Sequence, residues 1–146
     1  MDNMTPFVLM IALSVHSIFE GLATGISKDM KDVINMIIAI VLHKGAAGTS
    51  LGISLVKTFP NDFKLVRTLI LIFSFATPLG VILGMILADS DDIYEIIFNS
   101  IAAGTFLYIA CSEVVVEEFA LEGYRFLKML CFLLGATIIT CLYFIE

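Results

Sequence analysis

Long apolar runs alternate with short charged loops along the whole chain. Each run has about the length that an α-helix needs to cross ~30 Å of hydrocarbon. The pattern predicts five membrane-spanning helices, at about residues 6–27, 33–56, 65–88, 93–119 and 126–144. The expected fold is therefore all-α, a multi-span transmembrane helix bundle that forms one domain over residues 1–146.

The composition also indicates a membrane protein. Hydrophobic residues make up 60% of the 146 and charged residues only 15%, and the mean hydropathy is +1.03. A soluble domain of this size would have to expose much of that apolar surface to water, whereas a bilayer accepts it. The net charge of −6 argues against a nucleic-acid partner, because there is no basic patch to release counterions from phosphates.

Lysine and arginine are unevenly shared between the two sets of loops. One side of the predicted bundle holds only Lys28 and Lys31. The other side holds five basic residues: Lys57, Lys64, Arg67, Arg125 and Lys128. Because short cytoplasmic loops carry the excess of positive charge, we expect the N-terminus in the cytoplasm and the C-terminus outside the cell. The expected location is the plasma membrane.

The first predicted span carries two ionisable residues near its middle, His16 and Glu20. A charge at the centre of a bilayer costs about 3 kcal/mol on insertion scales, so residues of this kind need a reason to be there. The i, i+4 spacing puts both side chains on one face of the helix. Imidazole nitrogen and carboxylate oxygen are natural ligands of zinc and similar divalent ions. Ser17, beside them, offers a weak oxygen ligand or an outer hydrogen bond.

The second span adds His43 and Lys44, and the fourth adds Glu113. If His43 faces His16 and Glu20, the three form a two-histidine, one-carboxylate metal site with room for water. We expect Lys44 to tune the charge of that site and Glu113 to line an exit or to support helix contacts. Three other interpretations stay open. They are a self-satisfying hydrogen bond between His16 and Glu20, a polar contact of His43 toward a missing partner, and a Lys44–Glu20 salt bridge that leaves no metal.

An enzyme is a separate interpretation of the same residues. An intramembrane zinc hydrolase could use His16, Glu20 and His43 to hold a bound water. The chain lacks the H-E-x-x-H spacing of metalloproteases, and no further base is evident, so we expect no enzymatic activity. The three cysteines form no C-x-x-C pair, and we expect no prosthetic group.

Four motifs follow one another in the first four predicted spans. They are HSIFEGLATG at 16–25, HKGAAGTSLG at 43–52, FSFATPLG at 73–80 and AAGTFLY at 102–108. In this order they resemble the fourth to seventh helices of the ZIP (ZRT/IRT-like) zinc and iron transporters. The resemblance covers nearly the whole chain and implies helices four to eight of an eight-helix fold, with the first three absent.

The resemblance implies that His16, Glu20 and His43 hold a transported metal in mid-membrane, with Ser17 at a second-site position of some members. The expected ion is Zn²⁺, with Fe²⁺, Mn²⁺ and Cd²⁺ left open, and the expected direction is toward the cytoplasm. The expected partners are the ion, the lipid bilayer and either a second copy of the chain or the missing helices. The alternative is a truncated, non-transporting or regulatory member of the same family.

The chain departs from the family pattern at the second metal position. Where members with two adjacent metals have carboxylates, this sequence has Lys44, Ala47, Thr77 and Ser112. A single ion is therefore expected, with the Lys44 ammonium in the electrostatic place of the second cation. Val116 also stands where many relatives have proline.

Overall fold

The computed structural model describes residues 5–89, 91, 93–120 and 122–143, and the regular structure within these ranges is helical. The helices are α1 (Thr5–Ile26), α2 (Met30–Thr58), α3 (Phe63–Ile86), α4 (Ile93–Tyr108), α5 (Val116–Ala120) and α6 (Arg125–Tyr143). A π-helical segment, Ile109–Val115, connects α4 to α5. The predicted all-α class is confirmed.

Four helical stretches are long and apolar enough to cross a membrane: Pro6–Ile26, Met30–Thr58, Phe63–Ile86 and Ile93–Ser112. They overlap the first four predicted spans, although the fourth stretch ends at Ser112 and the predicted span extends to about residue 119. Their outward faces are apolar, as lipid contact requires, and α3 for example exposes Ile72, Phe75 and Ile82. The fifth predicted span, 126–144, falls on α6 as far as residue 143. It is not among the four stretches and stays a prediction.

Short loops join α1 to α2 and α2 to α3, and each loop ends in an aspartate that caps the N-terminus of the next helix. The Asp29 carboxylate accepts a hydrogen bond from the backbone N–H of Lys31 at 2.8 Å, at the start of α2. The Asp62 carboxylate accepts one from the backbone N–H of Leu65 at 3.1 Å, at the start of α3. Each bond satisfies a backbone donor that has no partner within the helix.

Helices α1 and α3 touch through glycines. A Cβ added to Gly21 would lie 2.5 Å from the Thr77 carbonyl oxygen and 3.0 Å from the Gly80 Cα. One added to Gly25 would lie 2.9 Å from the Gly84 Cα. These approaches are too close for any residue larger than glycine, so the two glycine pairs bring the backbones together, as small residues do in membrane helices. This contact packs α1, which carries His16, closely against α3.

Helix α2 joins this pair through its second half. Leu51 and Leu55 are fully buried against residues of α1 and α3, in a cluster completed by Leu9, Leu13, Val66, Leu69, Phe73 and Ile109. In the first half of α2 the buried apolar residue is Ile40. The half of α2 that precedes His43 is thus covered much less than the half that follows Lys44.

Contacts divide the chain into two compact units, residues 1–109 and 110–146. In the second unit the Lys128 ammonium lies 3.2 Å from Oε1 of Glu118 and donates to its carbonyl oxygen at 2.7 Å, which joins α6 to α5. The single domain over the whole chain stays a prediction. The candidate site described below lies entirely in the first unit.

Candidate metal site

His16 lies in the middle of α1 with its imidazole directed toward α4. Its Nδ1 atom is 3.0 Å from the carbonyl oxygen of Ala102 and 3.2 Å from Oγ1 of Thr105. Because a carbonyl oxygen only accepts, Nδ1 carries the hydrogen and donates it. The neutral ring therefore presents an unprotonated Nε2 on its other side, the tautomer that a metal ligand needs. The residue is 5% exposed, so water does not supply that nitrogen with a partner.

His43 is oriented in the same way by its own helix. Its Nδ1 atom lies 2.6 Å from the carbonyl oxygen of Ala39, one turn earlier in α2, and donates to it. The Nε2 atom then points away from α2 and lies 2.7 Å from Oε1 of Glu20 on α1. The backbone of α2 thus selects the tautomer of the second histidine, as α4 does for the first.

Glu20 stands between the two imidazoles. Its Oε1 atom is 2.7 Å from Nε2 of His43 and 4.0 Å from Nε2 of His16. Ligand atoms of the three side chains all lie within 4.8 Å of one another. Nε2 of His16 and Oε2 of Glu20 are buried without a hydrogen-bond partner, whereas Nε2 of His43 faces Oε1 of Glu20. Buried polar atoms are rarely left without a partner, and a group of two imidazoles and a carboxylate arranged in this way could hold a metal ion.

The spacing suits a first-row divalent ion after small adjustments. Ligands of one tetrahedral zinc, bound at 2.0–2.2 Å, lie about 3.4 Å apart. The contact between His16 and Glu20 is longer than that, and the contact between His43 and Glu20 is shorter, each by less than about 1 Å. Three protein ligands leave a fourth position for water or for an exchanging ligand. The group can therefore hold an ion without enclosing it.

Phe106 of α4 covers the two imidazoles. Its ring centroid lies 5.3 Å from that of His16 and 5.3 Å from that of His43. An apolar ring in this position limits the access of water and lowers the local dielectric, which strengthens the attraction between the carboxylate and a cation.

The Lys44 side chain contacts α3 rather than the three candidate ligands. Its ammonium donates a hydrogen bond of 2.5 Å to the hydroxyl of Thr77 and lies 4.9 Å from the ring centroid of Phe73. In the structure Glu20 contacts the two histidines, and Lys44 is satisfied by Thr77, so the open alternative of a Lys44–Glu20 salt bridge does not describe this arrangement.

The other two predicted residues lie apart from the three ligands. Ser17 is 2% exposed and follows His16 by one position, which turns it about 100° around α1 from the histidine. Glu113 lies in the π-helical segment, and its side chain falls outside the described residues.

Sequence reasoning missed the contribution of α4 to the site. Thr105 both accepts from the imidazole of His16 and donates to the Ala102 carbonyl oxygen, at 2.9 Å. Phe106 covers both rings. The available signal was a hydroxyl beside an aromatic ring in an otherwise apolar part of a predicted span, which nothing local distinguishes from ordinary helix packing.

A family model and individual relatives of this chain agree on one protein family. The family model described as "ZIP Zinc transporter" matches residues 2–143. The zinc transporter ZIP1 of Homo sapiens and that of Bos taurus are each 36% identical over 143 residues, which is 95% of this chain and 44% of theirs. The protein zntD of Dictyostelium discoideum is 40% identical over 137 residues, which is 89% of this chain and 20% of its own. The chain thus spans less than half the length of these relatives. No solved structure matches it.

Proposed function

Since this chain belongs to the ZIP zinc transporter family, we propose that it contributes to moving a divalent metal ion across a membrane, with zinc as the first candidate. The ligands in this proposal are His16, Glu20 and His43. One observation carries it: two imidazole Nε2 atoms and a carboxylate converge inside helices long enough to span a bilayer, and Nε2 of His16 and Oε2 of Glu20 are buried without a hydrogen-bond partner.

The donor set suits a divalent metal ion of intermediate hardness that can exchange its ligands. Two imidazoles and one carboxylate suit Zn²⁺, and they also accept Fe²⁺, Mn²⁺ and Cd²⁺, because ligand type alone does not separate these ions. A transported ion must bind strongly enough to lose water and weakly enough to leave. Three ligands with an open fourth position meet both requirements better than a closed structural site would.

The proposed direction is from outside into the cytoplasm, across the plasma membrane. The unequal distribution of lysine and arginine supports an orientation with α1 beginning on the cytoplasmic side. On this orientation the loop between α1 and α2 faces outward, and the ion enters from that side.

The first experiment measures radioactive zinc uptake by cells that express this chain, beside the double variant His16→Ala, Glu20→Ala. We expect uptake above background that the double variant loses, because it removes two of three ligands. The matched control is Thr49→Val, whose hydroxyl is exposed and donates only to its own helix at Gly45. The control should transport like the parent chain, with surface expression equal in all three.

Zinc binding by the purified chain separates two ways in which uptake could fail. Binding without uptake would refute transport by this chain alone and would favour the alternative of a non-transporting or regulatory family member. Neither binding nor uptake, with the protein correctly inserted, would refute the metal site itself.

A further inference from the structure

We infer that Thr77 is a positioning residue of the metal site: its hydroxyl holds the Lys44 ammonium on α3 and thereby leaves the Glu20 carboxylate to the ion. This inference rests on the proposed function, because it assigns a role to Thr77 only if His16, Glu20 and His43 bind a metal. Thr77 itself lies outside the cluster of three ligands.

The contact between Lys44 and Thr77 is partly buried and joins α2 to α3. Lys44 lies on α2, directly after the ligand His43, and its ammonium reaches across to the Thr77 hydroxyl and the Phe73 ring of α3. Thr77 is 8% exposed. An ammonium in such surroundings requires an acceptor, because leaving a charge unpartnered in hydrocarbon is costly. The Thr77 hydroxyl supplies that acceptor.

Lys44 also has room to move. It lines an open groove of about 430 Å³ between α2 and α3, together with Gly48 and Ser74. Its four-carbon stem is flexible, and its ammonium can donate in three directions. The position of the charge is therefore set by the acceptor it finds rather than by tight packing around the stem.

Glu20 is the competing acceptor. Its Oε2 atom is buried without a hydrogen-bond partner, and the carboxylate is close enough to attract the Lys44 ammonium electrostatically. Without the Thr77 hydroxyl, we expect the ammonium to turn onto this oxygen. The ion would then lose a charged ligand and would meet a positive charge beside its site, and both effects weaken the binding of a dication.

The test is a cycle of variants in the full chain, purified in detergent, with the zinc dissociation constant measured by competition with a chelating dye. Thr77→Val keeps the shape of the side chain and removes the hydroxyl. It should weaken zinc binding by about tenfold or more, the scale of lost outer-shell partners. Thr77→Ser, which restores the hydroxyl, should rescue the affinity.

The decisive comparison repeats Thr77→Val in a Lys44→Met background. There we expect no further loss, because the ammonium that the hydroxyl restrains is gone. The matched control is Thr68→Val, the same change in α3 at an exposed hydroxyl that donates to the Lys64 carbonyl oxygen of its own helix.

An equal loss in both backgrounds would mean that the hydroxyl acts on packing alone and would overturn the inference. No loss in the original background would overturn it as well. If the parent chain binds no zinc, the proposed function fails and the inference with it. Because that result is read from the unmutated chain, the two failures are distinguishable.

Discussion

The Nε2 atom of His43 lies 2.7 Å from the Oε1 atom of Glu20, so α2 and α1 meet through a histidine–carboxylate contact. The Nδ1 hydrogen of the same ring is given to Ala39, which leaves Nε2 of the neutral imidazole as an acceptor. Two acceptors at this distance repel each other unless a proton or a metal cation lies between them. The contact is therefore favourable only together with a positive charge, and His16 from the neighbouring turn of α1 completes its surroundings.

Replacing Glu20 by Gln tests whether the carboxylate charge is required. The amide has the same shape and can donate to Nε2 of His43, so the contact between helices survives while the ligand loses its charge. We expect zinc affinity to fall by about 100-fold or more, at or above the upper end of outer-shell effects, with little change in thermal stability. Dye competition on the purified chain measures the affinity. Affinity equal to that of the parent chain would contradict the assignment of Glu20 as a ligand.

Replacing Thr105 by Val tests the support that α4 gives to His16. The change removes one of the two acceptors of the Nδ1 hydrogen and leaves the Ala102 carbonyl oxygen in place. A looser imidazole should bind zinc about tenfold more weakly, at the low end of outer-shell losses. Ser100→Ala is the matched control, since that exposed hydroxyl donates to its own helix at Ile96. Equal affinities of the two variants would show that Thr105 does not orient the ring.

Replacing Gly80 by Ala tests the close contact between α1 and α3. The new Cβ would overlap the Ile18 carbonyl oxygen and would lie 3.0 Å from the Gly21 Cα, so the helices must separate. We expect a loss of about 3 kcal/mol in stability, the upper range for overpacking, because backbone atoms cannot move aside as side chains do. Thermal unfolding of the detergent-solubilised chain measures it.

Gly104→Ala is the control for this substitution, since a Cβ at Gly104 meets nothing within 4 Å. It should leave the unfolding temperature unchanged or raise it slightly, because alanine is the better helix former. A destabilisation equal to that of Gly80→Ala would point to helix propensity rather than to the interface.

The proposed orientation predicts which loops react with reagents that do not cross the membrane. In a chain freed of Cys111, Cys131 and Cys141, a cysteine at Lys31 should be labelled from outside intact cells. A cysteine at Asn61, in the loop between α2 and α3, should react only after permeabilisation. Both positions are exposed. The reversed pattern would contradict the orientation and, with it, the proposed direction of transport, while leaving the metal site unaffected.

Much of the fold could be predicted because hydropathy and helical periodicity are local properties. A run of apolar residues requires lipid or a core, and α1 to α4 begin within a few residues of the predicted spans. The shared face of His16 and Glu20 follows from the i, i+4 spacing alone, whatever packs against it. The cost of a charge in hydrocarbon likewise singled out His43 and Lys44 before any contact was known.

The sequence did not allow us to predict which helices pack against each other. Three glycine pairs have the same spacing, yet Gly21/Gly25 contacts Gly80/Gly84, while a Cβ at Gly48 would meet Phe73 at an ordinary 3.5 Å. Nothing in the spacing distinguishes these cases, because a close contact requires two complementary surfaces and the sequence presents each surface separately.

The sequence by itself determined the helical class, the apolar spans and the residues able to bind a metal. Only the tertiary structure decided that His43 turns toward Glu20, that α4 fixes the ring of His16 and that Lys44 is held by Thr77. The reason is physical: a residue's chemistry and its place on a helix depend on near neighbours in the chain. The partner of a buried polar atom depends instead on the packing of whole helices, which brings together residues as far apart as His16 and Ala102.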